Sequence, residues 1–430
     1  MRFVITVLIV LVLFSKSSYA LKFKELESSN GIKFWFVEDN SIPIISMSFS
    51  FNGGSYFDPA GKEGLSNIMT SLLDEGTNKL SSVEFKQKLK SNGVKLYFST
   101  QKHKIEGTFQ VISSNKIEGF ELLRNALNNP KFSENDILKI KNQVKSSIKI
   151  EEADISRLSS KKFNENFYIN HNFSNSIKGS LESLDRIKKS DIMQTYKKNF
   201  QLSNLTIGIS GNIGEKEVKE FVGLVFGNLN KSENNFSISD FQSLKKGMLL
   251  QKIETPQTAV VFGQKGLGRN DKDFFAARIL NYVMGGGSFQ SRLYKNIREK
   301  RGLVYSIYSY ILPYKNDGVI IGGFQTSNDS VKQVIKLVKK EWDTIKKHGI
   351  SEKEFSEAKT FFKGSFSRNF TNTMSIANLL EIVQYYKLGA DYFDKRDEII
   401  DSLELESINQ LASILFNSNE LFFMIVGKPN

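Results

Sequence analysis

Apolar and polar side chains alternate strictly over positions 45–51. Isoleucine, methionine and two phenylalanines occupy the odd positions, and the intervening residues are Ser46, Ser48 and Ser50. A period of two is typical of a β-strand that buries a single face. We therefore predict a strand whose apolar face packs against a core and whose serine face does not.

The period changes after Gly53 and Gly54. Apolar residues then recur at i, i+3, i+4, i+7 and i+8, namely at Leu65, Ile68, Met69, Leu72 and Leu73. This spacing predicts an amphipathic helix that ends near Gly76. Ser81 and Glu84 have the spacing of a capping box, so a second helix is predicted to begin there and to end at Asn92-Gly93.

The same unit occurs twice along the chain. Positions 133–137 (Ser-Glu-Asn-Asp-Ile) resemble positions 351–355 (Ser-Glu-Lys-Glu-Phe) at a shift of 218, and both begin with a capping-box pattern. The apolar run Leu205–Gly211 resembles Leu421–Gly427 at a shift of 216. Two matches at nearly one shift indicate a duplication. We predict two homologous α+β domains, each an antiparallel-rich sheet with helices packed on it, arranged as half of a clamshell.

The domain boundaries follow from this repeat. We predict a signal peptide over 1–20, an N-terminal domain over 21–227, a linker over 228–246 that is rich in Asn, Ser and Lys, and a C-terminal domain over 247–430. Hinged halves joined by such a tether would leave a cleft between them. Ligands bind preferentially in clefts at domain interfaces.

The N-terminus has the pattern of an export signal. Arg2 precedes an apolar run from Phe3 to Phe14, and the small residues Ser18 and Ala20 suit a cleavage site. The run is too short to cross a bilayer as a helix, although a retained anchor is the alternative. We expect an exported protein without an integral membrane span after cleavage, periplasmic if the source is a Gram-negative bacterium. Cys is absent, so no disulfide framework is expected.

The charge of the chain bears on its partners. The formal net charge is +13, which raises the question of a nucleic-acid partner. The lysines are scattered along predicted helices among acidic residues, and no dense basic tract or base-stacking motif accompanies them. We therefore predict a lysine-rich solvated surface and no nucleic-acid partner. Weak attraction to acidic peptides or anionic lipid head groups stays open.

The helix after Gly64 carries a more specific pattern. A glycine-led amphipathic helix closed by Gly76-Thr77 resembles the segment of the pitrilysin/insulinase-type metallopeptidases, the inverzincins, that bears the motif H-x-x-E-H. In that motif two His at i and i+4 share a helix face and bind zinc, while the Glu polarises the attacking water. The resemblance places the two His on Asn67 and Ser71 and the Glu on Thr70.

The resemblance also implies a third ligand, a Glu on a later helix, which falls on Ser147. No zinc site can be assembled from these four positions, so no metal is expected on this chain. The histidines, which are His103, His171 and His348, have no ligand-like spacing. Asn67, Thr70, Ser71 and Asp74 form a polar face of the helix, and the resemblance implies that this face lines the inside of the cleft.

The second half contains a glycine-rich segment, Gly285–Gly287, and the pattern R-E-x-x-G-L-x-Y from Arg298 through Gly302 to Tyr305. The glycines lack the Gly-Lys-Ser/Thr of a phosphate-binding loop. By itself the second pattern is a charged helix end with a left-handed glycine cap. Active members of the resembled family place an Arg and, seven residues later, a Tyr opposite the zinc. The resemblance implies that Tyr305 donates to the scissile carbonyl and that Arg298 holds substrate carbonyls.

Two functions from different classes remain. Some members of the family divide their chemistry between a zinc-bearing chain and a chain with the Arg/Tyr pair. Our leading hypothesis is that this chain is the second kind, a subunit of a heterodimeric peptidase that acts on peptides with zinc held by its partner. The alternative is a catalytically inactive scaffold or peptide-binding protein. A self-sufficient zinc protease would need ligands that the sequence lacks.

Overall fold

The computed structural model describes residues 22–232, 234 and 236–430, so the predicted signal peptide lies outside the described residues. Two β-sheets organise the fold. The first contains β1 (Lys24–Glu27), β2 (Lys33–Glu38), β3 (Ile44–Asn52), β4 (Lys95–Thr100), β5 (Lys104–Ile112) and β6 (Leu205–Gly211). The second contains β7 (Gly247–Lys252), β8 (Gln257–Leu267), β9 (Ile307–Pro313), β10 (Asp317–Ser327) and β11 (Phe422–Gly427).

Helices connect and cover the strands. In the first half they are α1 (Leu65–Ser71), α2 (Ser82–Ser91), α3 (Lys116–Asn128), α4 (Glu134–Ala153), α5 (Ile155–Phe167), α6 (Leu181–Arg186), α7 (Lys189–Asn199) and α8 (Glu215–Phe226). In the second half they are α9 (Phe274–Asn281), α10 (Val331–His348), α11 (Glu352–Phe366), α12 (Thr373–Tyr385), α13 (Tyr392–Asp401) and α14 (Leu405–Leu415). No helix among these is long and apolar enough to span a membrane.

The predicted helix starts are largely confirmed. Ser81 and Ser351 each form a complete capping box, with Glu84 and Glu354 respectively. Ser133 forms half of one, since its hydroxyl accepts the amide of the third helical residue without the reciprocal bond. Helix α1 ends at Ser71, several residues before the predicted end near Gly76, and turns complete the segment.

The two sheets have the same strand order, which confirms the two homologous α+β domains. The first sheet runs β1-β2-β6-β3-β5-β4 and the second runs β7-β11-β8-β10-β9. In each sheet the predicted repeat strand, β6 or β11, pairs parallel with one neighbour and antiparallel with the other. The first sheet has one additional strand, β1, at its outer edge.

Each half contributes a helix to the sheet of the other half. Helix α5 packs on β8 and β11 of the second sheet, where Phe163 lies 5.6 Å from the ring of Phe422. Its repeat counterpart α12 packs on β2, β3 and β6 of the first sheet. The approach is close, because a Cβ on Gly208 would lie 2.3 Å from the main-chain oxygen of Ala377. The halves are therefore interlocked rather than joined only by a tether.

This exchange corrects the prediction for β3, because the serine face of that strand is also buried. Helix α12 covers it, with the hydroxyls of Ser46 and Thr373 2.8 Å apart and Ser50 bonded to the carboxylate of Glu381. Small hydroxylated side chains let a helix approach the sheet, and each buried hydroxyl still needs a partner. The prediction of a strand from the period of two is confirmed, but the prediction that this strand buries a single face is wrong.

The segment 228–246 contains no helix or strand in its described part. It is nevertheless bound along the junction of the halves. Phe241 is buried and its amide donates to Asp317, while the amide of Lys245 donates to the main-chain oxygen of Phe167. A freely hinged tether is therefore not what the structure shows.

Candidate functional site

Helix α1 is held at its start by a buried acid. The carboxylate of Asp58 accepts the amides of Gly64 and Ser66 at 3.0 and 2.9 Å and the Ser66 hydroxyl at 2.6 Å. Gly64 adopts a left-handed backbone conformation, with φ of 94°, that favours glycine. Burial raises the pKa of Asp58 to about 6, although the hydrogen bonds from Ser66 oppose this shift. The predicted glycine-led start of this helix is thus confirmed, although the helix ends before Gly76.

Thr70, at the position of the motif's glutamate, does not face a cleft. Its side chain is 1% exposed, and its hydroxyl lies 2.9 Å from the Thr100 hydroxyl and 3.1 Å from the main-chain oxygen of Ser66. Asn67 and Ser71 are partly exposed, as is Asp74. The expectation of one polar face lining a cleft is therefore wrong at Thr70, because β4 supplies a hydroxyl that buries it.

Ser147, at the position of the third ligand, is hydrogen-bonded to a lysine. The ammonium of Lys178 donates to the Ser147 hydroxyl at 2.6 Å and also binds the carboxylate of Glu151, one helical turn further on. Helix α4, which carries Ser147, packs against α1. The Ser147 hydroxyl is therefore already engaged by an ammonium that is itself paired with Glu151.

These residues do not fit a zinc ion. Asn67, Thr70, Ser71 and Ser147 offer no imidazole, thiolate or carboxylate. Within the described residues, no group of three or more His, Cys, Asp or Glu side chains could hold a metal ion.

The structure brings Arg298 and Tyr305 together. A π-helical segment, Tyr294–Glu299, ends in a tight turn in which Gly302 has φ of 62° and donates its amide to the Arg298 carbonyl at 2.8 Å. The chain then returns, and Nε of Arg298 donates to the main-chain oxygen of Tyr305 at 2.7 Å. The predicted left-handed role of Gly302 is therefore confirmed, and it is what places the two residues side by side.

Two aromatic rings accompany the Arg298 guanidinium. Its central carbon lies 4.7 Å from the ring centre of Tyr294 and 5.6 Å from that of Tyr305, within the range of cation–π attraction. The Tyr305 side chain is 86% exposed, so its phenol is free to meet a ligand. Tyr294 was missed in the sequence, although it stands in the same segment one helical turn before Arg298.

A groove of about 740 Å³ adjoins this pair. We call it the aromatic groove, and its lining includes Phe289, Tyr294, Tyr308, Tyr310 and Phe361. Strand β9, which carries Tyr308 and Tyr310, is the outermost strand of its sheet. The glycine-rich segment closes one side, because a Cβ on Gly285 would lie 2.7 Å from the Ser309 amide. Open backbone groups and aromatic faces suit an extended peptide.

Sequence reasoning also missed Lys178, which has no motif around it. It lies in a loop and reaches Ser147 only through the tertiary fold. In the sequence, the single available signal for Lys178 was its place after the helix on which the third ligand was expected.

Comparison with known proteins agrees with this architecture. Residues 35–180 match the model of insulinase (peptidase family M16), and residues 186–362 match that of the peptidase M16 inactive domain. The non-peptidase homolog YmxG of Helicobacter pylori is 26% identical over 99% of this chain and 98% of its own length. The uncharacterized zinc protease YmxG of Bacillus subtilis is also 26% identical, over 95% of this chain and 99% of its own.

Solved structures share the fold. A peptidase M16 inactive domain from Pseudomonas fluorescens superposes with a TM-score of 0.89 at 22% identity, covering 95% of this chain and 99% of that one. A protease from Helicobacter pylori gives 0.86 at 17% identity, covering 95% and 100%. The two M16 models together span most of both sheets, and the relatives cover nearly the whole chain. This chain therefore belongs to the insulinase (M16) family of peptidases.

Proposed function

We propose that this protein is the exported, non-zinc-binding subunit of a heterodimeric M16 peptidase and contributes Arg298 and Tyr305 to peptide hydrolysis. The observation that carries the proposal is the contrast between the halves. In the first half the zinc-motif positions are engaged by other residues, since Thr70 contacts the Thr100 hydroxyl and Ser147 accepts a hydrogen bond from Lys178. In the second half the Arg298–Tyr305 pair is assembled, with an exposed phenol beside the aromatic groove.

The chemistry assigned to the pair follows from its donors. A zinc ion held by the partner chain would supply the activated water. The Tyr305 hydroxyl would donate to the carbonyl oxygen of the scissile bond as negative charge develops there. Arg298 uses Nε on the Tyr305 main chain, which leaves its terminal N–H groups to hold substrate carbonyls.

The test is reconstitution with a zinc-bearing M16 chain from the same source. Tyr305→Phe should lower kcat for peptide cleavage by about 100-fold or more, because loss of one oxyanion donor costs that order. Assembly of the pair, measured by size-exclusion chromatography, should not change. Tyr97→Phe, at an exposed tyrosine of β4, is the matched control and should keep full activity. Undiminished turnover by the Tyr305→Phe pair would refute the catalytic role.

A second candidate is a non-catalytic peptide-binding or scaffold protein. The aromatic groove supports it, as does the name "non-peptidase homolog" of the Helicobacter pylori relative. The fold is also shared with a chain of Complex III2 from Candida albicans, with a TM-score of 0.76 at 15% identity over 95% of this chain and 96% of that one. Saturable peptide binding by the chain alone, with no zinc-bearing partner recovered from its native extract, would favour this function.

A further inference from the structure

The two halves differ in the helix that follows their central repeat strand. In the first half α8 follows β6 and packs beside α3. Its Val218, Val222 and Val225 are buried, and the ring of Phe221 stacks on that of Phe120 at 4.3 Å. In the second half β11 takes the place of β6 and α10 the place of α3. The described residues form no helix beside α10 that corresponds to α8.

A groove occupies this position in the second half. It has a volume of about 1130 Å³ and runs between α10 and β7, the outermost strand of the second sheet. We call it the outer groove. Its apolar lining includes Met248, Leu250, Val331, Ile335, Leu337 and Ile425.

The strand register shows what a helix would cover there. In the first sheet Phe36 pairs with Ile209, and in the second Leu250 pairs with Ile425 at the same place in the repeat. Phe34 and Phe36 are both 0% exposed, in the same core as the valines of α8. Their counterparts Met248 and Leu250 are 60% and 40% exposed.

This difference gives the outer groove a driving force for binding. Burial of an exposed Met or Leu side chain is favourable because it removes apolar surface from water. Met248 and Leu250 are contiguous on one sheet face, and the groove beside them has the position that α8 fills in the first half. A second helix on that face would therefore bury a continuous apolar strip.

The charge of the rim indicates the chemistry of the occupant. The lysines along the groove are Lys332, Lys336, Lys339, Lys340 and Lys347, and Asp343 is the single acidic residue in the lining. None of these lysines forms an ion pair with any described residue. In the first half Lys116 of α3 pairs with Glu217 of α8 at 2.6 Å. Acidic residues on an incoming helix would meet the α10 lysines in the same way.

We propose that the outer groove binds an amphipathic helix of another polypeptide. The apolar face of this helix covers Met248 and Leu250, and its acidic flank faces the lysines of α10. The sequence pattern of the occupant is that of α8, with apolar residues at helical spacing and glutamates beside them.

A peptide with the sequence of residues 213–229, which contains α8, is the defined probe. Titrated as a fluorescent peptide against the full chain, it should bind saturably and more weakly as salt is added. Leu250→Glu should weaken binding at least about tenfold, because it places a charge in the apolar floor and repels the acidic flank. Val83→Glu, at an apolar residue of α2 that is 75% exposed and lies outside the groove, should bind normally.

Unfolding curves of Leu250→Glu, compared with those of the unsubstituted chain, establish that the variant is folded. Absence of saturable binding, or equal binding by Leu250→Glu, would overturn the proposal. A probe peptide with Val218→Asp and Val222→Asp should not bind, and binding by it would also count against a helix-specific groove.

The natural occupant can be identified by a photo-crosslinking side chain at Met248 in the full chain within its own cells. We expect an adduct with a segment of another protein that has apolar residues at i, i+3, i+4 and i+7 and adjacent Asp or Glu. The same probe at Ile414, which is 80% exposed outside the groove, is the control. Adducts only with a second copy of this chain or with anionic lipid would overturn the assignment.

Discussion

Nε of Arg298 donates to the main-chain oxygen of Tyr305 at 2.7 Å, and the same guanidinium lies over the Tyr305 ring. Arg298 therefore contacts both the backbone and the ring of Tyr305, which is 86% exposed. This makes Arg298 a positioning residue for Tyr305, in addition to the substrate-binding role that we propose for it.

Arg298→Lys should loosen the segment 303–306. A lysine cannot keep both the Nε bond and the planar contact with two rings. A hydrogen bond from a charged group contributes about 1.5–3 kcal/mol, so amide exchange in this segment should be about tenfold faster or more. Hydrogen-exchange mass spectrometry measures this. Arg301→Lys, in the same turn, is the control, and unchanged exchange in Arg298→Lys would refute the positioning role.

Replacing the four motif positions should not restore a zinc site. Thr70→Glu buries a carboxylate against Thr100 and should lower the free energy of unfolding by about 3 kcal/mol. A glutamate at Ser147 would pair with the Lys178 ammonium instead of a metal. Urea unfolding measures the first effect, with Asn67→His at a partly exposed position as the control.

The pairing of a glutamate at position 147 with Lys178 is tested by metal analysis. The quadruple variant carries Asn67→His, Thr70→Glu, Ser71→His and Ser147→Glu. We expect no bound zinc while Lys178 is present and more after the further change Lys178→Ala. Stoichiometric zinc in the quadruple variant itself would contradict this account of the site.

Gly208→Ala should destabilise the protein by about 3 kcal/mol. Its Cβ would lie 2.3 Å from the main-chain oxygen of Ala377, so α12 must move off the first sheet. Gly364→Ala is the matched control, since nothing lies within 4 Å of that position on α11 and alanine favours a helix. Urea unfolding of both variants decides the point, and equal stabilities would show that α12 is not closely packed.

His103 should make stability depend on pH. Both ring nitrogens are buried without a hydrogen-bond partner among the described residues, and burial together with Lys104 lowers the pKa of the ring to about 4. The unfolded chain binds a proton near pH 6.5, so the folded state loses stability as pH falls from 6.5 toward 4. Between about pH 7.5 and 5 this amounts to about 2 kcal/mol.

The measurement is the free energy of unfolding of His103→Gln at both pH values. The variant should lack this part of the pH dependence, while His348→Gln, at an exposed histidine, should retain it. Identical pH profiles for His103→Gln and the unsubstituted chain would contradict a neutral buried ring.

Local patterns in the sequence predicted what depends on neighbours in the chain. The period of two gave β3, the helical spacing gave α1, and the capping patterns at Ser81 and Ser351 gave two helix starts. The shifted repeats gave the two homologous domains. The left-handed cap at Gly302 was also predicted, and the structure shows that this residue reverses the chain so that Arg298 and Tyr305 lie side by side.

Contacts between residues far apart in the chain decided the rest. The serine face of β3 is buried because α12, more than three hundred residues away, covers it. Thr70 is buried by Thr100, and the ammonium at Ser147 comes from a loop. The exposure of Leu250 depends on whether a helix lies beside α10. The sequence by itself determined the repeated helices and strands, because periodicity and capping depend on residues that are close in the chain. Only the tertiary structure decided which polar faces are buried and which apolar face stays exposed, because burial depends on the elements that pack against each face.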